Sequence, residues 1–383
     1  MRSLSILRRT KNLSNRSFIL SLAPFPCHGF NFSSPSSTVI TDYCVSQLPI
    51  RRFGIYFGEI HNNYSSFGSA FSTYTKSNNE KKETTNLSSP SWIDLYLHSK
   101  VQPYARLARL DKPIGTWLLA WPCMWSISLA ANQGSFPDFK MMALFGCGAL
   151  LLRGAGCTVN DLLDRDIDSK VWRTQLRPVA CGALTPFQGI CFLGFQLLLG
   201  SLILFQLNTF SQILGASSLI LVFSYPLMKR FTFWPQAVLG LTFNWGAMLG
   251  YSAVHGNLDA CVTLPLYMGG VFWTLIYDTI YAHQDKEDDL KVGVKSTALR
   301  FGNSSKKWLT VFKFGCIGGF AVSGINADIG WPFYLHLVAA AGHLSWQIWA
   351  VDLSSRLDCN NKFVSNKWFG AILFNGILLG RLV

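Results

Sequence analysis

Two short acidic segments hold many of the side chains in this chain that could do chemistry. The first runs from Asn160 to Asp168 and the second from Tyr277 to Asp289. Nine of the 20 acidic residues among 383 lie in these two segments. Protein-bound Mg²⁺ takes oxygen ligands and commonly bridges carboxylates to substrate phosphates. The clustering therefore predicts a divalent-metal site that binds a polyphosphate.

Helical spacing would bring the carboxylates of each segment onto one face. The residues that share a face are Asn160, Asp164 and Asp168 in the first segment, and Asp278, Asp285 and Asp289 in the second. On an α-helix the first three fall within about 80° of one another. Two facing carboxylate stripes repel each other unless they hold cations. The alternative interpretation is that both segments are solvated turns at a membrane surface.

Basic residues accompany the acidic segments and could neutralise phosphate charge. They are Arg165, Arg173 and Arg177 around and after the first segment, Lys229 and Arg230 at the end of an apolar stretch, and Lys291 after the second segment. For Lys229 and Arg230 the alternative is ordinary positive charge on an inner loop. Tyr281 lies one turn from Asp278 and from Asp285, and it either hydrogen-bonds within the site or belongs to an interfacial belt.

Arg153 is a charged residue inside an apolar run, 150–159, seven residues before Asn160 and on the same helical face. A buried arginine in a membrane helix is costly and usually functional. We expect it to bind an anionic group of a substrate, such as a carboxylate, deeper than the metal site. The alternative is a structural arginine paired with a helix carbonyl or with Asp164.

The composition is that of a polytopic membrane protein. Hydrophobic residues make up 50% and charged residues 14%, with a mean hydropathy of +0.26, whereas soluble domains carry about 25% charge. The net charge of +13 lies largely in the N-terminal arm and in loops, with no basic helix or RNA-binding motif. We therefore expect a lipid bilayer and no nucleic acid as a partner. The ten cysteines show no spacing typical of a disulfide framework or a zinc site.

Apolar runs predict an all-α fold with nine transmembrane helices. The predicted spans are 113–132, 139–159, 187–207, 210–227, 235–254, 262–282, 309–325, 331–351 and 367–382. Lysines and arginines concentrate in the loops after the even-numbered spans, as the positive-inside rule requires. Both acidic segments then lie on the cytosolic or matrix side of the membrane.

The part of the chain before the first span divides into three. Residues 1–41 contain five basic residues, nine serines and no acidic residue, a composition typical of an organelle transit peptide. A disordered basic tail is the alternative. Residues 42–90 have the composition of a linker, and the membrane domain is expected at 91–383. An amphipathic helix is predicted at 92–110.

The acidic segments and three neighbouring stretches resemble the motifs of the UbiA superfamily of intramembrane aromatic prenyltransferases. Asn160-Asp161-x-x-Asp164-x-x-x-Asp168 is similar to the first aspartate motif of this superfamily, and Asp285-x-x-x-Asp289 is similar to the second. Stretches beginning at Arg109, Arg173 and Tyr277 look like the branch that prenylates 4-hydroxybenzoate. The resemblance covers about 95–383.

This resemblance implies a helical bundle around a central cavity and a defined reaction. Mg²⁺ held by Asp164, Asp168, Asp285 and Asp289 would bind an allylic polyprenyl diphosphate, and the basic residues would neutralise the departing pyrophosphate. Arg153 would hold the carboxylate of 4-hydroxybenzoate. It further implies a mitochondrial inner-membrane enzyme of ubiquinone biosynthesis, with its active site facing the matrix and associated with other proteins of that pathway.

Two other functions stay open at this point. A relative with another acceptor would prenylate homogentisate or dihydroxynaphthoate, make chlorophyll or haem O, or transfer a short geranyl donor to 4-hydroxybenzoate. A membrane transporter is the non-enzymatic alternative, but carriers with a threefold repeat of about 100 residues do not match two acidic motifs some 120 residues apart. Mg²⁺-dependent release of pyrophosphate separates an enzyme from a carrier.

Residues 1–41, fused to a fluorescent protein, should direct it into mitochondria, because an arginine- and serine-rich segment without acidic residues is typical of a matrix-targeting signal. Confocal microscopy with a mitochondrial dye measures this. A fusion that carries residues 42–90 alone is the control and should stay cytosolic. Chloroplast import of the 1–41 fusion would contradict the mitochondrial interpretation.

Overall fold

The structure is a computed structural model that describes residues 91–171 and 173–383, so the predicted transit peptide and linker lie outside the described residues. Within these ranges every regular element is helical, which confirms the predicted all-α class. The helices are α1 (Trp92–Tyr96), α2 (Gln102–Leu107), α3 (Ile114–Leu129), α4 (Phe139–Leu163), α5 (Arg165–Asp168), α6 (Pro186–Leu204), α7 (Thr209–Phe231), α8 (Pro235–Phe243), α9 (Gly246–His255), α10 (Ala260–Ala282), α11 (Lys286–Val292), α12 (Thr297–Phe301), α13 (Ser305–Asn326), α14 (Pro332–Ala350) and α15 (Arg356–Leu382).

Five helical segments of the described chain are long and apolar enough to cross a membrane: Phe139–Leu163, Pro186–Leu204, Thr209–Phe231, Ala260–Val292 and Thr297–Asn326. The helix α3 is apolar but shorter. The prediction of a helical membrane protein therefore agrees with the structure. The number of nine spans stays a prediction.

The predicted span 235–254 consists of two helices, α8 and α9, because the chain breaks at Asn244. The Asn244 amide donates to the Gly240 carbonyl at 2.9 Å and to Thr274 Oγ1 at 2.9 Å. Gly270 on α10 allows this approach, since a Cβ there would lie 2.2 Å from Asn244 Oδ1. A side-chain amide that bonds locally to the backbone competes with a continuous helix.

The predicted amphipathic helix over 92–110 is wrong as one element, because the structure has two short helices there. The first ends at Tyr96, and the backbone of the next residue, Leu97, is extended with φ −99° and ψ 142°. The second, α2, has Pro103 in its first turn. Proline is tolerated there but clashes with the preceding turn of a longer helix.

A buried aromatic cluster joins four of the long helices. Trp125 of α3, Trp273 of α10, Phe320 of α13 and Phe369 of α15 are all fully buried. The Trp273 and Phe369 rings stack with centroids 5.1 Å apart, and Trp125 lies 5.3 Å from Trp273. Such ring pairs add to the free energy gained by burial. By contrast, α6 and α7 expose most of their apolar side chains, as helices that face lipid do.

Replacing Phe369 with alanine should lower the stability of the bundle by about 3–5 kcal/mol, because the change leaves a cavity among rings that cannot close around it. Thermal unfolding of the detergent-solubilised protein measures the loss. The neighbouring residue Trp368 is 60% exposed, so Trp368→Ala is the control and should change the unfolding temperature little. Equal losses for the two variants would show that the cluster does not hold the bundle together.

Candidate active site

A cavity of about 1550 Å³ opens inside the bundle, and its walls come mainly from α3, α4 and α6–α10. Ten of the fourteen predicted site residues line it: Arg153, Asn160, Asp168, Arg173, Arg177, Lys229, Asp278, Tyr281, Asp285 and Asp289. The two acidic segments, far apart in sequence, therefore meet at one polar end of one cavity. Asp164, Arg165, Arg230 and Lys291 do not line it.

Asp164 is held by cations at the end of α7. Its side chain is completely buried and forms a short ion pair with the Lys229 ammonium. The guanidinium of Arg230 lies 3.8 Å from the other carboxylate oxygen and donates to the Leu163 carbonyl at 2.8 Å. Asp164 is the residue between α4 and α5, with φ −100°. The predicted continuous helical stripe is therefore interrupted there.

Asp168 and Asp161 share one arginine. Arg177 Nη1 lies 2.8 Å from Asp168 Oδ2 and 3.2 Å from Asp161 Oδ1. Arg109 also pairs with Asp161, with Nη2 at 2.7 and 3.0 Å from its two oxygens. Asp161 is 1% exposed, so two arginines from distant parts of the chain converge on one buried carboxylate.

Arg173 connects the two acidic segments, since it follows the first and binds the second. Its Nε donates to Asp285 Oδ1 at 2.8 Å, its Nη2 makes a second, short contact with Asp285 Oδ2, and its Nη1 donates to the Tyr281 hydroxyl at 2.8 Å. The guanidinium also lies 5.0 Å from the centre of the Tyr281 ring. Asp285 ends a short 3₁₀ turn between α10 and α11, so the second stripe is also interrupted.

Three of the cations predicted to bind phosphate, Arg165, Arg230 and Lys291, do not line the cavity. Arg165 is exposed on α5. The Lys291 side chain is 74% exposed and sits 3.7 Å from Asp288 on the outer side of α11. Asp289 does line the cavity, and its carboxylate makes no ion pair with the described residues.

Arg153 lies on the cavity wall about two turns, or roughly 10 Å, along α4 from Asn160. Its Nε is buried and has no hydrogen-bond partner in the described chain, and its guanidinium carbon lies 5.5 Å from the centre of the Phe243 ring. A Cβ at position 115 would come within 2.3 Å of that Nε, so Gly115 makes room for the guanidinium. Asp278 and Tyr225 line the same cavity. An unpaired donor here fits an anionic ligand group.

Burial and ion pairing act in opposite directions on the groups at the polar end. Burial raises the pKa of the Asp164 carboxyl, and the Lys229 ammonium opposes that rise. For Arg173, burial alone would lower the pKa of the guanidinium, but Tyr281 and Asp285 raise it above its usual value. Both ion pairs stabilise the charged forms of their partners in a water-poor setting.

The acidic residues meet as pairs with cations rather than as one metal-ligand shell. Within residues 91–171 and 173–383, no three Asp, Glu, His or Cys side chains are close enough to share a metal ion. The donor chemistry nevertheless fits Mg²⁺, which prefers carboxylate oxygens. The buried Oδ1 of Asp164 has no hydrogen-bond partner among the described residues, and the Arg230 guanidinium lies 3.8 Å from it. A carboxylate oxygen without a hydrogen bond fits a cation such as Mg²⁺.

Sequence reasoning did not assign roles to Asp161 and Arg109. Asp161 stands directly beside Asn160 in the acidic segment, and Arg109 adopts a left-handed backbone with φ 57°. Helical spacing places Asp161 off the face predicted to bind metal. This spacing indicated that Asp161 has a role other than metal binding. Its partner on α2's C-terminal side could not be read from periodicity, because the contact spans 52 residues.

Comparisons with known sequences identify a family. The profile of the UbiA prenyltransferase family matches residues 119–373. The chain is 69% identical over 306 residues to the mitochondrial 4-hydroxybenzoate polyprenyltransferase of Arabidopsis thaliana, covering 80% of this chain and 75% of that protein. It is 57% identical over 282 residues to the human protein of the same name, covering 74% and 76%. It is also 57% identical over 293 residues to 4-hydroxybenzoate geranyltransferase 2 of Lithospermum erythrorhizon, covering 76% and 95%.

Solved structures of similar shape support the same fold. A UbiA homologue from Aeropyrum pernix superposes with a TM-score of 0.59 at 19% identity, covering 69% of this chain and 97% of that one. A UbiA homologue from Archaeoglobus fulgidus, bound to GPP and Mg²⁺, superposes with a TM-score of 0.53 at 15% identity, covering 72% and 99%. At these identities the likeness concerns the fold.

Asp161→Asn should destabilise the protein by about 3–5 kcal/mol, because it leaves Arg109 without its carboxylate partner and Arg177 with Asp168 alone. Thermal unfolding in detergent measures the effect. Asp166→Asn is the control, since Asp166 is exposed on the same segment, and it should unfold like the wild type. A variant Asp161→Asn as stable as the control would show that the two arginines do not need this carboxylate.

Proposed function

The chain belongs to the UbiA prenyltransferase family, and from that premise we propose that it transfers a polyprenyl group to the ring of 4-hydroxybenzoate. The donor is an allylic polyprenyl diphosphate, and the products are 3-polyprenyl-4-hydroxybenzoate and pyrophosphate, a step of ubiquinone biosynthesis. The observation that carries the proposal is a single cavity. Carboxylates paired with lysine and arginine side chains surround its mouth, and Arg153 lies deeper inside with no hydrogen-bond partner for its Nε. The mouth suits a diphosphate and the arginine suits a carboxylate.

The diphosphate is placed at the mouth because that is where cations from three segments collect. Asp164, Asp168, Asp285 and Asp289 would hold Mg²⁺, which, when bound, neutralises diphosphate charge and so favours departure of pyrophosphate. Lys229 and Arg173 already face this space, and their charge stabilises the pyrophosphate as it leaves. Arg177 would keep Asp168 oriented between them.

The reaction begins when the allylic C–O bond breaks and both electrons leave with the pyrophosphate. The electron-rich ring carbon ortho to the phenol oxygen then attacks the allylic carbon, and the proton on that ring carbon is lost. The apolar walls exclude water, which would otherwise capture the allylic cation. Tyr281 contributes by holding Arg173, whose guanidinium its hydroxyl and ring both contact.

The acceptor is placed at Arg153 because its guanidinium has a buried, unpartnered N–H inside the cavity. A planar guanidinium binds a carboxylate with two parallel hydrogen bonds. Asn160 lies between Arg153 and the carboxylates of the mouth, and Asp278 lines the opposite wall from α10. We propose that these two polar side chains hold the phenol end of the ring toward the donor.

We propose that the protein works in the mitochondrial inner membrane with the mouth of the cavity facing the matrix. The names of the similar plant and animal proteins support the organelle, and five long apolar helices support the membrane. On this proposal residues 1–41 are the transit peptide, 42–90 the linker and 91–383 the catalytic membrane domain. Association with other proteins of ubiquinone biosynthesis stays a prediction.

A geranyl donor is the second candidate. The similarity to 4-hydroxybenzoate geranyltransferases extends over 95% of one such protein at 57% identity. Sequence similarity does not distinguish a polyprenyl donor from a geranyl donor, because the chain is similar to both polyprenyltransferases and geranyltransferases. The acceptor would be the same in both cases.

Removal of Mg²⁺ with EDTA, or either change Asp164→Asn or Asp285→Asn, should lower turnover at least about 100-fold, because a lost metal ligand removes several kcal/mol of transition-state stabilisation. Release of pyrophosphate and product mass measure turnover. Glu287→Gln is the matched control, since Glu287 is exposed beside the second segment and should retain activity. Near-normal turnover of both aspartate variants at saturating Mg²⁺ would contradict the proposed site.

Arg153→Ala should raise the Michaelis constant for 4-hydroxybenzoate far more than that for the polyprenyl diphosphate, because only the acceptor contacts this side chain. Arg153→Lys should restore binding only partly, since an ammonium cannot make the two-pronged contact. Lys229→Gln is the matched comparison and should show the opposite pattern. Steady-state kinetics with each substrate varied in turn provide the measurement, and a loss confined to the diphosphate in Arg153→Ala would assign this residue to the phosphate site.

A further inference from the structure

Two lysines of α13 lie outside the cavity, against the last turns of α14. Lys306 is in the first turn of α13, and Lys313 follows about two turns later, roughly 10 Å along the helix axis. The Lys306 ammonium donates to the Trp349 carbonyl at 3.1 Å, and the Lys313 ammonium donates to Ser345 Oγ at 3.1 Å. Lys313 Nζ also lies 5.3 Å from the centre of the Trp349 ring. The two cations therefore meet at one tryptophan.

Lys313 is a cation inside a membrane span. It belongs to the segment Thr297–Asn326, which is long and apolar enough to cross a membrane, and it lies about 12 Å beyond the start of α13. A charged side chain within a span is costly and usually functional. An ammonium has three N–H donors and no acceptor. Among the described residues the hydrogen-bond partner of this ammonium is Ser345, so donors remain for a further acceptor.

The positive charge of these two lysines has no carboxylate partner in the part of the chain that the structure describes. Their hydrogen-bond acceptors, a carbonyl and a hydroxyl, are both neutral. The acidic residues at this end of the bundle pair with other cations: Asp288 with Arg356 and Lys291, and Asp358 with Lys362. The two lysines therefore leave a site of uncompensated positive charge, which is complementary to an anionic ligand.

The surface beside the two lysines is apolar and exposed. Trp349 and Phe314 are exposed next to the Lys313 ammonium, which lies 5.1 Å from the centre of the Phe314 ring. Further along the same face of α14, Val338 is exposed, and a Cβ at Gly342 would meet nothing within 4 Å. Tryptophan is enriched where a membrane meets water. We call the surface formed by Lys306, Lys313, Ser345, Trp349, Gly342 and Val338 the α13–α14 surface.

We propose that the α13–α14 surface binds one anionic phospholipid, with its phosphate between the two ammonium groups and an acyl chain along α14 over Gly342. The lysines supply donors for the phosphate oxygens, and the apolar face supplies a surface for the chain. A free phosphate or an acidic peptide would satisfy the charge but would leave that face bare, and it would have to leave water to reach Lys313. Acidic lipid head groups bind at basic sites between membrane helices.

The lipid site is separate from the cavity but lies at the same end of the bundle as the polar mouth. In the described chain no residue of α13 or α14 lines the cavity. The chain enters α13 directly after α11 and α12, which follow the second acidic segment. A lipid that contacts both α13 and α14 would stabilise their packing, because a ligand that binds only the folded protein raises its stability.

The experiment measures lipid binding to the purified protein by native mass spectrometry in a neutral detergent. Wild type is titrated with dioleoylphosphatidylglycerol or dioleoylphosphatidylcholine, which share acyl chains and differ in head-group charge. The variants are Lys306→Gln, Lys313→Gln and Lys313→Arg. Lys307→Gln is the matched control, because Lys307 is exposed and lies about 100° around the helix from Lys306, so the change removes the same charge from a neighbouring face. Glycerol 3-phosphate is added as a competitor to test for a soluble anion.

Wild type should bind phosphatidylglycerol about tenfold or more tightly than phosphatidylcholine. Lys306→Gln and Lys313→Gln should each weaken phosphatidylglycerol binding about fivefold, which is the contribution of one lysine near anionic lipid. Lys313→Arg and Lys307→Gln should stay within about twofold of wild type, because both keep two cations on the α13–α14 surface. Equal affinity for the two lipids, unchanged binding in either glutamine variant of this surface, or an equal loss in Lys307→Gln would overturn the inference. Displacement of the lipid by glycerol 3-phosphate would assign the site to a soluble anion and overturn it as well.

Discussion

The structure depends on the pairing of buried carboxylates with lysine and arginine side chains at the polar mouth of the cavity. Asp164, Asp168 and Asp285 each have a cation from a different part of the chain: Lys229, Arg177 and Arg173. A carboxylate left alone in such a setting would be strongly unfavourable, and losing one partner of a buried pair costs about 3–5 kcal/mol. These contacts therefore fix the ends of α4, α7 and α10 and the loop after α5 relative to one another. The same lysine and arginine side chains supply positive charge that could neutralise a diphosphate.

The same constraint explains why polar and apolar parts of the cavity are arranged along one line. Arg153 is the deepest charged residue of the lining on α4, and beyond it the lining of this helix consists of apolar side chains and glycine. The buried aromatic cluster around Trp273 holds α3, α10, α13 and α15 together. The helices α6 and α7, few of whose residues are buried, line the apolar half of the cavity. The charged mouth draws on both parts of the bundle, because Lys229 lies on α7 and Asp285 follows α10.

Spacing along the sequence predicted many of the residues of the site but not which of them contact one another. Apolar runs and loop charges predicted the helices, and the acidic segments predicted where chemistry would lie. The bond from Arg173 to Asp285 joins positions 112 residues apart, which no helical period encodes. The break at Asn244 depends on a side-chain amide that bonds to the Gly240 carbonyl and to Thr274. At the break between α4 and α5, the Asp164 carboxylate is held by Lys229. Lys291 was predicted as a basic residue that follows the second acidic segment, and its side chain is 74% exposed on α11.

The most direct test of the account is product formation by the purified protein in lipid vesicles. It would be incubated with 4-hydroxybenzoate and an allylic diphosphate, with Mg²⁺ or with EDTA, and the products identified by mass spectrometry. The account predicts prenylated 4-hydroxybenzoate, with the prenyl group on the ring carbon beside the phenol and an equal amount of pyrophosphate, in the Mg²⁺ sample alone. Prenylation in EDTA, or hydrolysis of the donor without any prenylated benzoate, would contradict it.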